Sequence, residues 1–180
     1  EEVRRLARSV PGSGGSGREA SQVAVSTRLT PEHQAIRLLI HRPDELAAHL
    51  DPVLFGDLTA RTAYQALVGH GDLHAAREAA GGGSADLLGR LAVQDATDDD
   101  PVGVVHRLVS LAAERAAVEL EAEARESGDL ASYHLPISYL RTTIIGLREL
   151  PVFDENETGF EPVEALLRWL VEYSEGRADG

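Results

Sequence analysis

The sequence predicts an all-α fold, with a helical bundle followed by a long helix and a C-terminal helical hairpin. Apolar residues recur at spacings of three and four along most of the chain, as they do on the buried face of an amphipathic helix. Proline repeatedly precedes such a stretch. It is favoured at the first helical position because its missing N–H has no intrahelical partner there. No segment shows the convincing alternation of apolar and polar residues that predicts a strand.

The first 29 residues are expected to lie outside the bundle. Residues 1–10 are interpreted as the last turns of a helix from a preceding domain. Residues 11–29 are rich in Gly and Ser, which predicts a flexible linker because such residues do not build a packed core. The chain contains no Met and begins with Glu1, so we expect it to be a piece of a longer protein.

Residues 30–73 are predicted to form several short helices in close succession. Each start carries a proline in the first turn or a side chain that accepts hydrogen bonds from the free N–H groups of that turn. These start signals are Thr30-Pro31, Arg42-Pro43, Asp51-Pro52, Thr59 and Asp72. Helices this short are unstable alone, so we expect them to share one core.

Two further helices complete the predicted bundle. The glycine run at 81–83 is predicted as a loop, and Ser84 as the N-cap of the helix after it. Pro101 begins the longest predicted helix, which ends near Ser127 because Gly128 is a typical residue just beyond a helix. The second half of this helix is richer in charge than the first, so we expect that half to project beyond the core.

Residues 128–180 are predicted to form a helical hairpin beside the bundle of residues 30–127. The first hairpin helix is expected from Pro136 to Leu150 and the second over residues 161–174, with an acidic loop between them. Their apolar spacing indicates that the two helices pack against one another.

The predicted hairpin is apolar on more than one face, which favours partner binding. Trp169 is the only Trp in the chain, and Trp and Tyr are enriched in the energetic centres of interfaces. The candidate partner-binding residues are Ile137, Tyr139, Leu140, Ile144, Leu147, Leu166, Trp169, Leu170 and Tyr173. The alternative is that these side chains only form a core, and the sequence leaves both readings open.

The charge balance indicates the class of partner. The chain has 30 acidic and 17 basic residues and a formal charge of −13. Because nucleic-acid affinity depends largely on Lys and Arg that neutralise phosphates, we expect a protein partner and no direct nucleic-acid binding. No stretch approaches the ~20 apolar residues of a membrane span, so we expect no membrane contact and a cytoplasmic location. We expect the chain to be monomeric on its own.

The candidate chemical sites have simpler structural explanations. The run Asp98–Asp100 offers carboxylates of the kind that Mg²⁺ takes, but it precedes Pro101, where acidic residues cap a helix. His70 and His74 are four residues apart, but Gly71 between them interrupts the helix that would align them. We therefore predict no catalytic residue, no metal site and no cofactor in this chain. A metal–carboxylate enzyme on a helical scaffold is the alternative of a different class.

The order of these elements resembles a known family. The run HQAIRLLIHRPDELAAHLDPVLFGDLTARTAYQAL, the later DLLGRLAVQD and the long helix from Pro101 are similar to the C-terminal domain of bacterial DNA primase. The resemblance covers residues 30–174 and consists of helix order and hydrophobic pattern. The sequence departs from the family in its acidic loop DENETG and in the Trp of its last helix.

The resemblance implies a function in DNA replication. In the family this domain binds the N-terminal domain of the hexameric replicative helicase through its terminal hairpin, which couples RNA primer synthesis to unwinding in the primosome. It implies that this chain is not itself an enzyme, whereas the parent primase is a nucleotidyltransferase. Residues 1–10 would be the tail of that catalytic core, and zinc and magnesium would bind in the missing parts of the primase.

Two other interpretations stay open at this point. The N-terminal collar domain of the replicative helicase shares the primase fold and begins with a similar run. It lacks a preceding Gly–Ser linker, however, and an ATPase with a P-loop follows it. The other interpretation is a helical regulatory domain that binds an unidentified protein.

Overall fold

The computed structural model describes residues 29–149 and 160–178, and all regular structure in these ranges is helical. The all-α prediction is confirmed. The helices are α1 (Pro31–His41), α2 (Pro43–Leu46), α3 (Leu58–His70), α4 (Leu73–Ala80), α5 (Gly82–Ala92), α6 (Pro101–Ser127), α7 (Leu130–Glu149) and α8 (Glu161–Ala178). Short 3₁₀ turns at Ala47–His49 and Pro52–Leu54 connect α2 to α3. The predicted N-terminal tail and linker up to residue 28 and the predicted acidic loop lie outside the described residues.

Side-chain caps begin three of the short helical segments as predicted. The Thr30 hydroxyl oxygen accepts the amide N–H three residues on at 3.2 Å. The Asp51 and Asp72 carboxylates each accept the amide N–H two residues on at 2.8 Å. Each cap satisfies an N–H group that has no intrahelical acceptor, so these helix starts follow from local sequence.

The predicted cap of α3 is wrong. The helix begins at Leu58, and Asp57 caps it by accepting the amide N–H of Ala60 at 2.8 Å. Thr59 therefore lies within the first turn. Asp and Thr are both good N-caps. Asp57 is the N-cap here, and the chain just before α3 is held by Glu32. The Glu32 carboxylate accepts the amide N–H groups of Gly56 and Asp57, at 2.7 and 3.3 Å.

Ser84 was also expected as a cap, and this prediction is wrong. It lies inside α5, which begins at Gly82 after Gly81. Gly81 has φ +60°, a backbone conformation that residues other than glycine rarely adopt. The Ser84 hydroxyl is buried and donates to the Thr59 carbonyl at 3.0 Å. The serine thus joins α5 to α3, and the end of the glycine run forms the first turn of the helix.

Helix α6 is the central element of the fold. Asp100 caps it by accepting the amide N–H of Gly103 at 3.0 Å, and Gly128, at φ +70°, follows its last residue. The expectation that its second half projects beyond the core is wrong, because Leu120 and Ala124 are buried there. Helices α7 and α8 both pack against α6.

Helix α7 starts earlier than predicted and contains Pro136 in its interior. Asp129 begins it by accepting the amide N–H of Ser132 at 3.2 Å. This carboxylate also accepts the Ser132 hydroxyl. Proline has no N–H to donate to the carbonyl four residues earlier, so packing on α6 outweighs the local cost of the proline.

The last two helices contact each other, but most of their packing is against α6. Both α7 and α8 pack along α6 and contact each other far less, and α8 also contacts the 3₁₀ turn Pro52–Leu54. Leu140 and Leu166 belong to the same hydrophobic core as Ile36 and Leu88 of the bundle. The described residues on either side of the predicted boundary at 127/128 therefore share one core.

Candidate docking surface

Three aromatic rings line the junction of α7 and α8. Tyr139 of α7 lies 5.9 Å from Trp169 of α8, measured between ring centroids, with the planes tilted by 47°. Trp169 stacks on Tyr173 of α8 at 5.1 Å with the planes 10° apart. We call Tyr139, Trp169 and Tyr173 the aromatic seam. Its rings are partly exposed, so it presents flat apolar surface to solvent.

Arg177 fixes one end of the aromatic seam. Its guanidinium lies 5.5 Å from the centre of the Tyr173 ring and donates to the Tyr173 hydroxyl at 3.1 Å. The same group pairs with Glu119 and Glu123 of α6, at 2.6 and 2.8 Å. Burial raises the pKa of Tyr173, and the positive charge of Arg177 opposes that rise. The phenol therefore stays neutral at physiological pH and is held in one orientation.

The structure divides the predicted partner-binding residues into two groups. The leucine and isoleucine side chains Leu140, Ile144, Leu166 and Leu170 are buried in the core. Ile137, Leu147, Trp169 and Tyr173 are partly buried and pack against that core, while Tyr139 is 39% exposed. The rings of the aromatic seam are accessible from solvent, whereas the buried aliphatic residues belong to the core that α7 and α8 share with α6.

Sequence reasoning missed Leu135 as a surface residue. It lies one helical turn before Tyr139 on α7 and is 77% exposed. An exposed leucine adds to the apolar surface that α7 presents to solvent. Leu135 was not recognised as part of this helix because the predicted helix began only at Pro136.

Two ion pairs on the surface link α7 to α6. Arg141 pairs with Glu121, and Arg148 pairs with Glu114. In both pairs the acid lies on α6 and the arginine on α7. The acidic residues of both pairs belong to the charge-rich second half of α6. Their arginine partners are distant in sequence, so no local pattern revealed these pairs.

The run Asp98–Asp100 has structural roles. Asp100 caps α6, as predicted. The Asp99 carboxylate accepts hydrogen bonds from Nε and Nη2 of Arg37 at 3.0 and 2.5 Å. Its side chain is mostly buried. This pair ties the loop before α6 to α1. Among the described residues, no group of three or more His, Asp or Glu side chains is placed to hold a metal ion.

The predicted histidine pair is separated by a break in the helix. His70 ends α3 and His74 lies in α4, and both side chains are exposed. His74 Nε2 lies 3.5 Å from a Glu78 carboxylate oxygen, which is an ordinary contact along a helix surface.

Within the described ranges, no helix is both long enough and apolar enough to cross a membrane. Comparison with protein-family models, with curated proteins and with solved structures finds no significant match to this chain.

Proposed function

We propose that the aromatic seam docks this chain onto the N-terminal domain of a hexameric replicative helicase, as the helicase-binding domain of a bacterial DNA primase does. The observation that supports the proposal is the stacked, partly exposed set Tyr139, Trp169 and Tyr173 at the junction of the last two helices. The resemblance in helix order supplies the identity of the partner.

The aromatic seam is suited to docking for an energetic reason. Aromatic side chains contribute large contact areas at low conformational cost. Trp169 and Tyr173 are already stacked, and Arg177 holds the second ring through contacts with α6. Fewer side chains therefore lose rotamer freedom on binding, which reduces the cost of association.

The proposed role of the chain is adhesion rather than chemistry. Docking would hold a primase at the helicase and so couple RNA primer synthesis to DNA unwinding at the replication fork. In this proposal the catalytic core and its zinc and magnesium sites lie in the remainder of the primase. The formal charge of −13 disfavours a direct grip on the DNA backbone, which fits attachment through a protein.

Point variants test the proposal better than truncation. Removing the residues after α6 would expose the alanines and leucines that α7 and α8 cover. Tyr139→Ala removes an exposed ring instead and leaves the core intact. We expect it to weaken binding to the helicase N-terminal domain by about 10- to 100-fold, the range of an interface hot spot, as measured by calorimetry.

Val93→Ala is the matched control, because Val93 is 85% exposed and lies at the end of α5, outside the aromatic seam. It should bind like the unaltered chain. Equal affinities for Tyr139→Ala and Val93→Ala, with both variants folded by circular dichroism, would rule out docking through the aromatic seam.

A further inference from the structure

The outward side of α7, opposite its buried leucine and isoleucine side chains, is uncharged. Between Leu130 and Arg148 the only Asp, Glu, Lys or Arg residues are Arg141 and Arg148, and both pair with acids of α6. The outward side instead presents apolar and small residues that are exposed, namely Ala131, Leu135, Tyr139, Thr142, Ile145 and Gly146. In a chain in which 26% of the residues are charged, an exposed face of this kind is typical of a contact surface.

Large residues occupy the first half of this face and small residues the second. Leu135 and Tyr139 are followed by Thr142 and Gly146, at spacings of four, three and four residues. These spacings keep the four residues within an arc of about 60° around the helix. Within the described part of the chain, a Cβ atom on Gly146 would meet nothing within 4 Å beyond its own helix. Open space therefore lies beside the small half of the face.

We propose that two copies of this chain form a dimer in which the outward faces of α7 pack antiparallel across a two-fold axis. An axis through the middle of α7, beside Arg141, places Leu135 of one copy opposite Gly146 of the other. It also places Tyr139 opposite Thr142, and each contact occurs twice because a two-fold interface is reciprocal. Each large side chain then lies against a small one, which lets the two layers of side chains interdigitate.

Charge favours a second copy as the occupant. Burying a charged group without a partner is costly, so the surface that covers this face should itself be uncharged. The same face of a second copy meets this requirement. Arg141, beside the axis, keeps Glu121 of its own copy as a partner, so dimer formation does not leave this arginine unpaired.

The contact area sets the strength that we expect. Helix α7 has 20 residues, so it is ~30 Å long and, with its side chains, ~10 Å wide. One face of it covers ~300 Å² per copy, and ~600 Å² in two copies is at the low end for a specific interface. We therefore expect a weak dimer with a Kd between about 1 μM and 1 mM. At lower concentrations the chain should be monomeric, as the sequence predicts.

The dimer would affect the docking proposed above. Tyr139 belongs to both the α7 contact and the aromatic seam, so dimer formation would withdraw one ring of the seam from the helicase. This consequence rests on the proposed function. The dimer itself does not, and its tests contain no helicase, so the two proposals can fail separately.

Analytical ultracentrifugation of the full chain tests the proposal. The average mass should rise from that of one chain towards that of two as the concentration is raised from about 1 μM to 1 mM. Added salt should strengthen the dimer, because it screens the repulsion between two chains that each carry a formal charge of −13. The mass of one chain at every concentration, or a dimer that salt dissociates, would overturn the proposal.

Substitutions at the facing positions distinguish this packing from unspecific apolar association. Gly146→Leu fills the space that Leu135 of the other copy takes, so it should weaken the dimer at least about tenfold although it adds apolar surface. The double variant Leu135→Ala/Gly146→Leu exchanges the large and the small residue and should recover most of the lost affinity. Gly69→Leu is the matched control, because Gly69 is an exposed glycine of α3 that also has open space beside it.

Gly69→Leu should dimerise like the unaltered chain. All these positions are exposed, so the variants should fold, which circular dichroism checks. Association of Gly146→Leu as strong as that of Gly69→Leu would overturn the proposed contact. A double variant that associates no better than Gly146→Leu would overturn the reciprocal pairing of Leu135 with Gly146.

Discussion

Tyr139 on α7 and Trp169 on α8 lie with their ring centroids 5.9 Å apart, although the two helices that carry them pack mainly on α6. The aromatic seam is thus positioned by a third helix. Leu140 and Leu170, each adjacent in sequence to a seam residue, are buried in the core. Neighbouring residues on α7 and α8 therefore have separate roles, one in stability and one on the surface.

Leu140→Ala should lower the stability of the whole fold. Leu140 is fully buried, and truncating a buried leucine to alanine costs about 2–5 kcal/mol because it removes apolar contact and leaves a cavity. Tyr139→Ala, one residue away and partly exposed, should cost less than ~1.5 kcal/mol. Urea denaturation followed by circular dichroism measures both free energies of unfolding. Similar losses for the two variants would mean that the aromatic seam is part of the core.

The cap of α3 provides a test of local structure. Asp57→Ala should destabilise the fold by about 1 kcal/mol, since the carboxylate that accepts the Ala60 amide is lost. Thr59→Ala should change the free energy of unfolding by less than ~0.5 kcal/mol, because only its main-chain carbonyl is used, as the acceptor for Ser84. Thermal denaturation of the two variants distinguishes the caps. A larger loss for Thr59→Ala would restore the cap that the sequence alone indicated.

The alkaline limit of stability should depend on Tyr64. Burial raises the pKa of Tyr64 to about 12, and the charge of Asp51 adds to the rise. Its hydroxyl donates to the Leu50 carbonyl at 2.8 Å. Because the pKa is higher in the folded than in the unfolded chain, the neutral phenol stabilises the fold. Tyr64 makes its full contribution to the free energy of unfolding below its ordinary pKa of 10.0 and loses it as the pH rises towards about 12.

Tyr64→Phe removes this pH dependence and serves as the comparison. At neutral pH it should cost about 1 kcal/mol for the lost hydrogen bond. When the pH is raised from below 10 to above 10, the denaturation midpoint of the unaltered chain should fall by more than that of Tyr64→Phe. An ultraviolet titration in which every tyrosine of the folded chain ionises near its ordinary pKa would contradict the burial of Tyr64.

Local signals in the sequence predicted the helices better than their packing. Thr30 and Asp100 act as caps because a helix start depends on residues within one turn. The start of α7 was missed because Pro136 is a typical first-turn residue, and only packing on α6 allows it inside a helix. The packing of α7 and α8 mainly on α6 was not predicted, because an apolar stripe indicates a buried face and carries no information on which helix covers it.

The candidate docking surface shows the same difference between local signals, which the sequence carries, and contacts between helices, which it does not. The sequence indicated Trp169 and Tyr173 as candidate anchors because Trp and Tyr are enriched in interfaces, and the structure places their rings in one stack. It did not indicate that Arg177, which contacts Tyr173, also pairs with Glu119 and Glu123 of α6. Those contacts join helices far apart in the chain, so no spacing in the sequence records them.

The single Trp of the chain lies in the aromatic seam, so one fluorinated tryptophan gives one fluorine NMR signal that reports on the proposed docking site. Addition of the N-terminal domain of the replicative helicase from the same genome should shift and broaden this signal to saturation. The Tyr139→Ala variant should require at least about tenfold more helicase domain for the same change. A signal that stays unchanged while the two proteins form a complex by analytical ultracentrifugation, or the absence of any complex, would contradict docking through the aromatic seam.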